Sequence, residues 1–156
     1  MSKITKFWLA IVGLVILMQL FRPDKNSPSE NVGHTLSAKT QMPSDVQRIL
    51  DRSCADCHSY RTRWPWYSNI APISWVVIDD VNEGRRNMNF SEWADYDAAG
   101  AADRLKSICD DAKSGDMPLA SYRWVHREAK LSDAEKKVVC DWTNTERNKL
   151  FRGTNR

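Results

Sequence analysis

Histidine is scarce in this chain: His34, His58 and His126 are the three it has among 156 residues. So few imidazoles leave no room for a copper centre. There is no glycine-rich phosphate loop, no Ser-His-Asp set and no carboxylate-rich metal site. No segment alternates apolar and polar residues as a half-buried strand would. No repeat is visible either. An excess of one charge is also missing: the net charge is +3, and Lys3 and Lys6 lie in a leading segment without acids. Beyond residue 21 the balance is 21 basic against 20 acidic residues. That excludes the basic footprint of a nucleic-acid binder. The length suits one domain plus a tail.

What is present is apolar and aromatic. Six of the seven tryptophans (Trp64, Trp66, Trp75, Trp93, Trp124 and Trp142) lie outside the leading segment. Such rings fill a small core or pack on a large flat cofactor. Residues 7–21, "FWLAIVGLVILMQLF", follow Lys3 and Lys6 and are interrupted only by Gln19; Arg22, Asp24 and Lys25 come next. This is the layout of an export signal. No small-residue cleavage site and no lipoprotein cysteine follow it, so residues 1–21 read as an uncleaved, single-pass signal anchor, with cleavage and release to the periplasm as the alternative. At about 1.5 Å per residue the run falls short of a ~30 Å hydrocarbon core. Ile4 and snorkelling Lys6 and Arg22 are expected to make up the difference. Lys3 and Lys6 place the N-terminus in the cytoplasm and the rest beyond the bacterial cytoplasmic membrane. Residues 22–42, with Pro23, Pro28 and Gly33, read as a linker or an arm over the domain, and His34 within it as a solvated side chain. The domain is expected over residues 43–150 and a tail over 151–156.

The domain reads as all-α, with four main helices and long loops. Ser44 with Gln47 offers a capping box, followed by Val46, Ile49 and Leu50. Ser74 is placed to cap a helix carrying Trp75, Val76, Ile78 and Val81 and ending near Gly84. Asp97 caps a longer one with Leu105, Ile108, Cys109 and Ala112 on one face, closed by Gly115. Ser132 with Glu135 opens the last helix, which carries Val138, Val139 and Trp142.

The stretch "RSCADCHSY" carries the chemistry. Cys54, Cys57 and His58 form C-x-x-C-H. A redox dithiol of the thioredoxin kind expects a βαβ setting, which is missing. A structural zinc site needs a fourth ligand, and Cys109 and Cys140 stand singly on predicted helices. The third chemistry is covalent haem c. Two thiols one helical turn apart add to the vinyl groups, and the adjacent histidine becomes the proximal iron ligand. In bacteria this attachment occurs outside the cytoplasm, in agreement with the leading segment. One haem is expected, since the histidines left do not support a second.

At these residues the sequence resembles the small bacterial haem-binding domain family, distantly similar to class I cytochromes c. The resemblance runs over most of residues 22–142. It includes "FRPDKN", "CADCHSYRTRWPWYSNIAPISW", "DVNEGRRNMNFSEW", "MPLASYRWVH" and "LSDAEKKVVCDW". It implies a single haem c, a cytochrome c-like helical fold and a membrane-attached or exported domain. By similarity to class I cytochromes c, Met117 in "SGDMPL" is the expected sixth ligand and the Pro72 carbonyl the expected partner of the proximal ring. His126 is the alternative sixth ligand and Met88 a further rival. Arg61, Arg63, Trp66 and Tyr67 are expected along the haem edge, with Arg85 and Arg86 as further propionate donors. An exported location allows a Cys109–Cys140 disulfide. The expected function is a membrane-tethered electron carrier working with redox partner proteins. The alternative is a gas sensor or peroxidase-like enzyme with an open sixth position, and a third reading is a haem scaffold in a respiratory complex.

Overall fold

The computed structural model describes residues 1–154, and among them every regular element is helical. The first helix, α1 (Lys3–Met18), is capped by Ser2 and has no buried residue. It ends where the Gln19 side chain turns to the domain, accepting from the Ala71 N–H and donating to the Ala71 carbonyl, both at 3.0 Å. Its 16 residues amount to about 24 Å of rise, below the ~30 Å of a hydrocarbon core. Among the described residues no helix is long and apolar enough to cross a membrane. The expected membrane-spanning anchor over residues 1–21 is therefore not found; the helix stops three residues short of the end of the apolar run.

Residues 22–42 form the arm. Lys25 donates to Asn69, Trp64 to Ser27, Arg85 to the Asn26 carbonyl and Ser91 to Glu30. The arm closes in the short helix α2 (Leu36–Lys39), whose N-cap Thr35 accepts from Ala38 and whose Leu36 is buried.

Helix α3 (Ser44–Ser53) buries Val46, Ile49, Leu50 and Ser53. The Ser44–Gln47 capping box does not form. Pro43 takes the N-cap position, and the Gln47 side chain donates along the helix to Asp51 at 3.0 Å. A sharp bend at Cys54 separates α3 from the single turn α4 (Ala55–His58). Helix α5 (Ile73–Asn87) starts at Pro72, and Ser74 lies inside it, buried, instead of capping it. The helix also runs past Gly84 to Asn87. Helix α6 (Ala98–Ser114) begins at Asp97, which accepts from Gly100 at 2.7 Å. It ends at Gly115 in the left-handed region (φ 83°), where a residue with a Cβ would be strained.

After the short α7 (Ala120–Val125) comes α8 (Asp133–Thr154). Its capping box is complete: Glu135 accepts from the Ser132 N–H and hydroxyl at 2.8 Å, and Ser132 accepts from the Glu135 N–H. The expected tail over 151–156 is helical through Thr154, and residues 155–156 lie outside the described residues. Helices α6 and α8 run antiparallel. Cys109 and Cys140 are joined by a disulfide, and Arg147 Nε donates to the Ala102 carbonyl at 3.1 Å. One core gathers Leu36, Ile49, Phe90, Trp93, Leu105, Val139 and Trp142 from the arm and the main helices. Two of the tryptophans thus fill the core, whereas Trp66 and Trp124 are 75% and 82% exposed.

Candidate functional site

The bend at Cys54 shapes the site. Cys57 and His58 both donate their N–H groups back to the Cys54 carbonyl (3.2 and 3.0 Å), so the two thiols stand one turn apart. Helix α5 packs directly on this turn at Gly84. A Cβ there would lie 2.7 Å from the Cys57 carbonyl oxygen, closer than real Cβ contacts come. Beyond it the chain folds back so that His58 Nδ1 donates to the Met88 carbonyl at 2.9 Å. A carbonyl only accepts, so Nδ1 carries the proton and, in the neutral ring, Nε2 keeps its lone pair. The ring stacks on Phe90 with centroids 5.8 Å apart. Burial lowers the His58 pKa, opposed in part by the Met88 and Gly84 carbonyls, which favours the neutral, ligating form.

Both thiols are free. Burial is the largest influence on each, pushing Cys54 up to about 12 and Cys57 up to about 11. The thiols and His58 open into a cavity of about 530 Å³. Ile49, Leu50, Phe90, Ile108, Leu131 and Val139 supply apolar wall. Met117, Pro118, Leu119 and Tyr122 contribute from the segment between α6 and α8, and Arg104 from α6. The Arg104 guanidinium lies 3.7 Å from the Tyr96 ring centroid and donates through Nη1 to the Gly100 carbonyl. Its Nε is buried without a hydrogen-bond partner.

Several expected residues stand elsewhere. Pro72 is exposed at the start of α5 and does not serve the His58 ring; the Met88 carbonyl does. The haem-edge cluster also does not form a cavity wall, because its arginines are held by nearby carboxylates. Arg61 pairs with Asp51 at 3.0 Å and Glu30 at 3.6 Å, and Arg63 pairs with Asp56 at 3.0 Å. Trp66 points away into solvent, and Tyr67 is hydrogen bonded to His126 Nε2 at 2.8 Å. Arg85 holds the Ser59 carbonyl at 2.9 Å and the Thr62 hydroxyl at 2.8 Å, bracing the loop after His58, while Arg86 is exposed. Of the rivals for the sixth position, Met117 and Met88 line the cavity. His126 instead stacks on Tyr122 at 4.5 Å and faces Glu128. His34 is half-exposed beside Asp95.

Asp56, between the two cysteines, accepts from the Arg63 main chain and guanidinium and from the Tyr122 hydroxyl at 2.7 Å. Burial alone would raise its carboxyl, but these hydrogen bonds hold it below the usual carboxylate range. The Tyr122 phenol is pushed far up, by burial first and then by Asp56.

A family model described as a haem-binding domain matches residues 13–145. The chain belongs to the haem-binding domain family. Comparison with curated proteins and with solved structures finds no match. The residues of this haem-binding domain fit the group its family is defined by. The cavity volume falls among those of cofactor sites, roughly 300–1,000 Å³, and the walls are mainly apolar. A neutral imidazole and a thioether both line it, and Arg104 brings a buried donor that lacks an acceptor. A haem carries carboxylates that would supply one.

Proposed function

We propose that this haem-binding domain holds one haem c covalently through Cys54 and Cys57 and carries electrons, with His58 and Met117 as its axial ligands. The observation behind this reading is a shared cavity onto which two free thiols one turn apart, the His58 ring and Met117 all open. Bound haem supplies a one-electron Fe(III)/Fe(II) couple, and a thioether ligand raises its potential. The chain's residues do the rest. The Met88 carbonyl fixes the tautomer and orientation of His58. Arg104 is suited to a propionate. The mainly apolar walls would limit water around a bound macrocycle. With His58 and Met117 both holding it, haem iron would have no open position, which suits electron transfer to redox partner proteins.

An exported location is part of the proposal. The Cys109–Cys140 disulfide is the kind of bond an oxidising compartment maintains. Apolar α1, none of whose residues is buried, supports contact with lipid without spanning it. Recovery of the full chain in a membrane fraction, and its release by high salt or alkali, tests that part.

The site is tested on protein matured with haem. Haem that stays on the chain in denaturing gels, and is lost in Cys54→Ser/Cys57→Ser, is the result expected of covalent attachment. Ferric protein should be low-spin and show the weak far-red charge-transfer band of a thioether–iron bond. Met117→Ala should abolish that band. A high-spin native spectrum would instead favour a ligand-binding or catalytic haem.

A further inference from the structure

Helix α7 follows directly on Met117, Pro118 and Leu119, and none of its residues is buried. A helix of six residues without a buried apolar face holds its place through specific bonds more than through packing. The polar ties it has lead to the segment that carries and follows the attachment motif. The Tyr122 hydroxyl donates to Asp56 Oδ2 at 2.7 Å, and Asp56 is itself fixed by Arg63. The Tyr122 ring stacks on His126 at 4.5 Å and 24°, and His126 Nε2 is bonded to the Tyr67 hydroxyl at 2.8 Å. One element therefore connects the Met117 side of the cavity to the Cys54–His58 side.

We propose that Asp56, Tyr122, His126 and Tyr67 form a latch that closes the Met117 segment over the cavity, so that Tyr122 and Tyr67 are positioning residues for the sixth iron ligand. The proposal rests on the reading that Met117 ligates iron. The carboxylate between the two cysteines thereby links the two faces of the site. With the latch closed, Met117 is held in place and outside ligands compete poorly. With it open, the sixth position becomes accessible to a small exogenous base.

The test is equilibrium binding of imidazole to the ferric holoprotein, expressed per haem, for native, Tyr122→Phe, Tyr67→Phe and Met117→Ala proteins. Far-ultraviolet circular dichroism and the far-red band are recorded alongside. Both phenylalanine variants keep the ring and remove one hydroxyl. A hydrogen bond to a charged acceptor is among the stronger ones, so Tyr122→Phe should bind imidazole at least tenfold more tightly, about 1.4 kcal/mol. Its far-red band should weaken while its helix content stays native. Tyr67→Phe, which loses the bond to His126 and not the one to Asp56, should shift in the same direction by less. If Met117→Ala binds imidazole more tightly but neither phenylalanine variant does, the latch is refuted and the ligand assignment stands. If Met117→Ala binds no more tightly than native protein, the ligand assignment falls and the latch with it.

Discussion

Gly84→Ala isolates one contact on which the site depends. In an ordinary exposed helix this change gains about 1 kcal/mol of helix propensity. Here the added methyl meets backbone: 2.7 Å to the Cys57 carbonyl oxygen and 3.2 Å to its carbonyl carbon and Cβ. The obstacle is not the end of a flexible side chain, so relief requires α5 and the attachment turn to separate. Overpacking of this kind costs about 1–3 kcal/mol, which exceeds the propensity gain over most of that range. The net expectation is a loss of about 1 kcal/mol, or roughly 3 °C in Tm for a domain of this size. The separation also moves Cys57 and the His58–Met88 hydrogen bond, so haem loading should fall. The assay is thermal unfolding followed by circular dichroism, together with haem per chain. Gly13→Ala is the control, because nothing lies within 4 Å of a Cβ at Gly13. Gly84→Ala protein as stable as native and fully loaded with haem would falsify the close approach of α5 to the cysteine turn.

The disulfide closes a loop of sequence separation 31. Chain entropy then gives about 3–4 kcal/mol of stabilisation, so Cys109→Ser/Cys140→Ser should lower the denaturant midpoint correspondingly. Glu135 is held below the usual carboxylate range, first by the Ser132 N–H and also by Arg52. The unfolded chain therefore binds a proton here at a higher pH than the native one does. The contribution is complete above the ordinary glutamate range and is lost as pH falls through the lower native value. Glu135→Gln should accordingly flatten the acid limb of a stability–pH curve, and an unchanged limb would contradict the assignment. Arg104→Gln removes a positive charge from the cavity wall, which favours the ferric state. Potentiometric titration should give a lower midpoint potential than native; an equal one would remove Arg104 from the site.

Local chemistry was legible in the sequence where a few neighbouring residues decide the outcome. Ser132 and Glu135 close their capping box, Asp97 caps α6 and Gly115 ends it. Ser44 and Gln47 match the same capping pattern and fail, because Pro43 occupies the cap and Asp51 attracts the Gln47 amide. The C-x-x-C-H turn could be read directly, being contiguous. The partner of His58 could not, since every residue offers a carbonyl. Only the way α5 doubles back selects Met88, 30 residues on, over Pro72. Arginines posed the same problem. Arg61 and Arg63 lie close to the motif in sequence, but the fold pairs them with Asp51 and Asp56. Arg104 stood in a helix read only for its apolar face. Gly84 carries a signal besides that of a helix end: an isolated glycine within a helical pattern also marks close approach of another backbone.

The buried setting of Cys54 and Cys57 bears on how four thiols on one chain are sorted into a bonded and a free pair. Disulfide exchange proceeds through thiolate. A thiol raised to about 11, as Cys57 is, is ionised in only about one molecule in ten thousand at pH 7. Once packed between α3 and α5, the pair is slow to enter a wrong bridge. Cys109 and Cys140 are joined across α6 and α8, on other helices. Folding thereby acts as a kinetic filter: one pair is joined in a disulfide, and the other is kept chemically quiet as free thiols on the cavity wall.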